Sequence, residues 1–83
     1  MALFSDETMQ YVFSIGSPKE EQWTHVFDIG EQVPASGIYR CYNCGDEITC
    51  NKGDKFPPQN KTQHPIHSKP IMWQLVVETQ TKG

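Results

Sequence analysis

The sequence predicts a small, mostly β protein, one domain with an antiparallel sheet and at most one short helix. Three observations carry that prediction. The chain has 83 residues, room for one modest core. It holds two Leu and two Ala against eleven Val and Ile and six Thr. β-Branched side chains fit a pleated, half-buried surface, whereas helices are built mainly from Leu, Ala, Glu, Lys and Met. Its apolar residues come in short alternating runs cut by Gly and Pro.

The elements follow in order. Tyr11-Val12-Phe13-Ser14-Ile15 reads as a strand ended by Gly16-Ser17-Pro18. Ser17-Pro18-Lys19-Glu20 has the features of a helix start, with Ser as N-cap and Pro at the first helical position. Trp23 to Ile29 reads as a strand with Trp23, His25, Phe27 and Ile29 on one face, broken by Gly30. Pro34-Ala35-Ser36-Gly37 is a turn. Ile38 to Tyr42 is a strand that delivers Cys41 near its end. Asn43-Cys44-Gly45 is a tight turn, and Glu47-Ile48-Thr49-Cys50 returns with Ile48 and Cys50 pointing inward. Residues 51–70 hold four Pro and four Lys and read as loop. A loop that long needs something to tie it down. Ile71 to Glu78 is the last strand and the strongest β signal. We therefore expect an N-terminal segment, 1–22, packing on or preceding the core, a β domain over 23–78, and a frayed tail over 79–83.

Composition narrows the setting. Nine aromatics and a formal net charge of −3 do not fit a disordered chain. No apolar run approaches the roughly 18 residues of a membrane span. Met1 to Glu7 lack a basic n-region and an apolar h-region, so we expect no secretory leader and a cytoplasmic location. The sequon Asn60-Lys61-Thr62 is then a chance match. Charge is lopsided: residues 1–50 carry a net −6 and residues 51–83 a net +3.

The chemistry lies in Cys41, Cys44, His64 and His67. Cys41-Tyr42-Asn43-Cys44-Gly45 has the form of a metal knuckle, in which two thiolates on a tight turn point at one ion and the trailing Gly permits positive φ. His64-Pro65-Ile66-His67 repeats the two-residue gap, giving Cys-x2-Cys-x19-His-x2-His. Soft sulfur with imidazole nitrogen in a closed tetrahedron suits one structural Zn²⁺ per chain, and such a site would anchor the long loop. Cys50 is a core residue of its strand or, alternatively, a third thiolate in a Cys3His set. Competing readings remain: a redox pair, for which the βαβ context is absent, or reduced structural cysteines with no metal. His25 reads as an ordinary strand residue. No phosphate-binding Gly-rich loop and no Ser/His/acid arrangement stands out, so we expect no enzyme.

With Gly37-Ile38-Tyr39-Arg40-Cys41-Tyr42-Asn43-Cys44-Gly45, then Gly53-Asp54-Lys55-Phe56-Pro57-Pro58 and Trp73-Gln74-Leu75-Val76, the chain resembles small bacterial zinc-ribbon or rubredoxin-like proteins of uncharacterised families. The resemblance covers about residues 30–78. It implies a zinc-ribbon-like β-hairpin with Cys41 and Cys44 as metal ligands. The chain departs from the pattern after the double proline, where Gln59 stands in place of the expected Cys and no second Cys pair follows. Either His64 and His67 take over, or the site is degenerate and the fold stands without metal.

Three functions compete. One is a zinc-stabilised interaction module with a protein partner, to which Trp23, Tyr42 or Phe56 could supply contacts. The second is nucleic-acid binding through Lys52, Lys55, Lys61 and Lys69, opposed by a pI near 5.4 and a single Arg. The third is a metal-free ribbon that binds protein or self-associates weakly, its acidic front meeting a basic rear.

Overall fold

A computed structural model describes residues 1–43, 45–57 and 71–80. Its regular elements are a single 3-10 turn at Met9–Tyr11, a one-turn helix α1 at Glu21–Thr24, and four strands: β1 (Phe27–Asp28), β2 (Gly37–Cys41), β3 (Glu47–Cys50) and β4 (Met72–Glu78). All pairings are antiparallel, in the order β1-β4-β2-β3. The expected mostly β, antiparallel architecture with one short helix is therefore what the chain forms.

Alternation explains the sheet. Along β2, Gly37, Tyr39 and Cys41 are buried while Arg40 faces solvent. Along β4, Trp73 and Leu75 are buried and Val76 is exposed. Registry brings these rows together, Tyr39 opposite Leu75 and Cys41 opposite Trp73. Ile38 faces Val77 next to a register shift, so one β4 residue bulges out of the ladder. Gly37 sits where the two backbones press closest: a Cβ there would lie 2.1 Å from the Val77 carbonyl oxygen. That position accepts only glycine without moving main chain.

The core has a second storey built from two loops. The chain after β1 runs antiparallel to residues 53–56. The Gly30 N–H donates to the Phe56 carbonyl (3.0 Å) and the Phe56 N–H to the Glu31 carbonyl (3.0 Å). The Val33 N–H donates to the Asp54 carbonyl (2.7 Å) and the Gly53 N–H to the Val33 carbonyl (3.0 Å). This ribbon buries Val33 and Phe56. Phe56 stacks on Phe27 with ring centroids 5.1 Å apart and meets Tyr39 edge-on at 4.9 Å. The buried Tyr39 hydroxyl donates to the Ala35 carbonyl (2.6 Å), which satisfies the one polar atom of an otherwise apolar side chain.

Three expectations are corrected. Tyr11–Ile15 is not a strand: its first residue closes the 3-10 turn, and the rest pairs with no strand among the described residues. β propensity alone does not hold an extended segment, because the ladder needs a partner. The helix does not start at Ser17-Pro18. It runs Glu21–Thr24 with Glu20, in extended conformation, as N-cap. Trp23 and Thr24 thus belong to a helical turn, which cuts the expected 23–29 strand to Phe27–Asp28. In consequence Trp23 packs against the core from α1, and Ile29 is exposed. Gln22 on the same turn donates to the Glu78 carboxylate, pinning α1 to the end of β4. No described helix is long and apolar enough to cross a membrane.

Candidate metal centre

The site is built at the closed end of the β2–β3 hairpin. β2 alternates, so Cys41 falls on the buried face, and its exposure is 0%. The following turn is fixed by backbone bonds on three sides. The Cys41 N–H donates to the Asp46 carbonyl (2.6 Å), and the Gly45 N–H donates back to the Cys41 carbonyl (2.9 Å). The Tyr42 N–H donates to the Met72 carbonyl (2.7 Å), which holds the turn against the start of β4. Gly45 has φ +89, in the left-handed region that glycine permits. The Arg40 guanidinium covers Gly45, lying 3.1 Å from where a Cβ would be.

The remaining expected ligands cannot be placed beside Cys41: Cys44, His64 and His67 lie outside the described residues. Among the described residues no group of three or more His, Cys, Asp or Glu could hold a metal. Cys50 is described, and the register decides its geometry. It stands opposite Gly37, four residues before Cys41 on β2. At about 3.3 Å per strand residue the two lie on the order of 13 Å apart. Two thiolates on one zinc need their sulfurs within about 4 Å, since each Zn–S bond is about 2.3 Å. One ion bound by Cys41 does not reach Cys50 in this arrangement. Cys50 instead packs at the margin of the core with Ile48, on the inward face that alternation assigned to both. Burial, reinforced by the nearby Asp54 carboxylate, pushes its thiol pKa up and keeps it protonated.

The other singled-out residues separate cleanly. Phe56 is core, Trp23 is half-buried against it, and Tyr42 is exposed. His25 lies outside any strand, edge-on to Phe27 at 4.6 Å, with its Nε2 3.8 Å from a Glu31 carboxylate oxygen. Lys52 and Lys55 are exposed with Asp54 between them, whereas Lys61 and Lys69 lie outside the described residues. Sequence reasoning missed the loop ribbon that buries Val33 and Phe56. Its only signal was Gly53, the positive-φ residue that opens the second loop segment.

Comparison with known proteins places the chain. It is 47% identical to the protein named Protein L of Escherichia coli over 83 residues, spanning the whole of this chain and 93% of that protein. The chain belongs to the Protein L family. No family model matches it, and no solved structure matches it. The alignment runs over the whole of this chain, so the hairpin, the loop ribbon and the N-terminal segment all fall within the aligned region.

Proposed function

We propose that this protein is a small cytoplasmic interaction module whose fold is stapled by one structural zinc ion held by Cys41, Cys44, His64 and His67, and that it serves a protein partner rather than a reaction. The observation that carries this reading is the Cys41 turn. A buried thiol sits at the end of β2, and the turn that follows it bends back through Gly45 at φ +89. That supports a Cys-x2-Cys-Gly knuckle of the zinc-ribbon kind, in which both thiolates face one ion. The donor set fits zinc in type, two sulfurs and two imidazoles with no position left for water. A bound ion would contribute an apparent ~10–16 kcal/mol to folding, large beside the few kcal/mol of a small core.

Elemental analysis with native mass spectrometry of the purified protein tests the reading. We expect one zinc per chain, lost in Cys41→Ser and in His64→Ala, and a melting transition that collapses in chelator. A metal-free protein that unfolds cooperatively at the same temperature with and without chelator would overturn it.

A further inference from the structure

The N-terminal arm presents apolar side chains that no other described residue covers. Leu3 is 88% exposed, Tyr11 78% and Phe13 86%, with Phe4, Met9, Val12 and Ile15 also exposed. Two features make this more than a bare apolar patch. First, the chain leaves its 3-10 turn extended at Val12 (φ −118, ψ 128), and the run Tyr11–Ile15 is rich in the β-branched and aromatic residues that strands favour. Second, β3 is the outermost strand of the described sheet, and no described segment pairs along its outer side, although the Met1 ammonium of the same chain reaches the Glu47 carboxylate (2.6 Å). Ladder bonds in an antiparallel pair alternate. Counting from the Cys41 N–H bond to Asp46, the Glu47 and Thr49 N–H groups point away from β2.

We propose that two copies of this chain associate by arm exchange, the Tyr11–Ile15 run of each adding as a strand to the open edge of β3 in the other. The faces match. Tyr11, Phe13 and Ile15 share one side of an extended run, and Ile48 and Cys50 share the core side of β3, where they are only partly buried. An added strand continues that apolar row and covers its margin. The arm also springs from the right place, because Ala2 lines the depression beside β3 together with Ile38, Ile48 and Pro57. Reciprocal arms therefore leave and arrive at the same edge, as a closed two-fold dimer requires. The size is sufficient. At 150–250 Å² per aromatic side chain, Phe4, Tyr11 and Phe13 of two arms offer on the order of 900 Å². The aliphatic side chains of the arms bring the total to the roughly 1,200–2,000 Å² of a stable interface. A second copy is the occupant because a single chain carries both halves of the joint, a strand-like sequence and a sheet edge that are both unpaired among the described residues.

Sedimentation equilibrium tests this on the intact protein at about 0.01 M and about 1 M salt, where the screening length falls from about 30 to 3 Å. We expect a dimer at both. Phe13→Glu, in an arm where the side chain bears on no core residue, should weaken dimerisation about tenfold or more, the scale of losing an aromatic anchor. Thr49→Pro, which removes an outward N–H from an edge strand, should act in the same direction. Trp73 fluorescence should be unchanged in Phe13→Glu. A monomer at every concentration, a dimer indifferent to Phe13→Glu, or a dimer that falls apart at high salt through its opposed charges would each overturn the proposal. Phe13→Glu should leave the metal content per chain unchanged, which separates this test from that of the zinc.

Discussion

Two regions of this molecule have similar apolar content and opposite fates. Between Gly37 and Cys41 and between Met72 and Glu78, alternating side chains meet across a ladder and disappear from solvent. Between Leu3 and Ile15, side chains of the same kinds stand exposed. The difference is not hydrophobicity. Tyr39, Cys41, Trp73 and Leu75 are buried because the two strands supply each other's hydrogen bonds, which lets the backbone go where its side chains are stable. The arm has the side chains without the ladder. Burial in a small β protein is thus decided by pairing first and by apolar character second.

Matched aromatics separate the two regions most clearly. Trp73→Ala removes a side chain of 0% exposure near the start of β4 and should cost about 3–5 kcal/mol. Phe13→Ala, in the arm, should change the stability of the monomer by no more than about 0.5 kcal/mol. Urea denaturation at low protein concentration measures both, and equal losses would show that the arm packs on the core.

Glycines give a smaller contrast. Gly37→Ala drives a methyl into the Val77 carbonyl and should cost about 1–3 kcal/mol through forced separation of β2 from β4. Gly16→Ala meets nothing within 4 Å and carries only the cost of φ +76. That cost is at most about 1–2 kcal/mol, and the free arm can relax it. Thermal melting of the two variants ranks them.

The smallest effect concerns pH. Burial raises the Tyr39 hydroxyl above its ordinary 10.0, partly offset by its bond to Ala35, and burial then Asp54 raise the Cys50 thiol above 9.0. Both groups are neutral in the folded sheet and ionise more readily in the unfolded chain. Their contribution is complete below the unfolded pKa values and is lost as pH rises through the folded ones. Stability should therefore decline in two stages above about pH 9, and Cys50→Ala should remove the earlier stage. The arm contributes nothing to either stage.

What could be read from the sequence follows the same division. β2, β3 and β4 were legible because each alternates and is bounded by Gly, Asn or Pro, and because β2 and β3 are joined by a turn whose Gly45 announces itself. The inward faces of Ile48 and Cys50 came from the same alternation. β1 was overextended because Trp23 and Thr24 suit a strand locally, while the chain there closes a helical turn, with the His25 N–H bonding the Glu21 carbonyl. The burial of Val33 and Phe56 was illegible for a different reason. Each lies in a segment without period, and their contact arises only when two loops pair across the hairpin. At the candidate site, spacing located Cys41 and its turn. The distance from Cys50 to Cys41 is a matter of register, which no count of intervening residues reveals.

The position of β4 bears on how the protein is made. This strand lies between β1 and β2, although it follows both in sequence. As the chain leaves the ribosome, the β2–β3 hairpin can zip as soon as it emerges, whereas β1 waits through the synthesis of everything up to residue 72 before it has a neighbour. The sheet therefore closes late and from the β2–β3 edge across to β1, and a nascent chain stalled before β4 would carry the hairpin while Phe27 still lacked its strand partner.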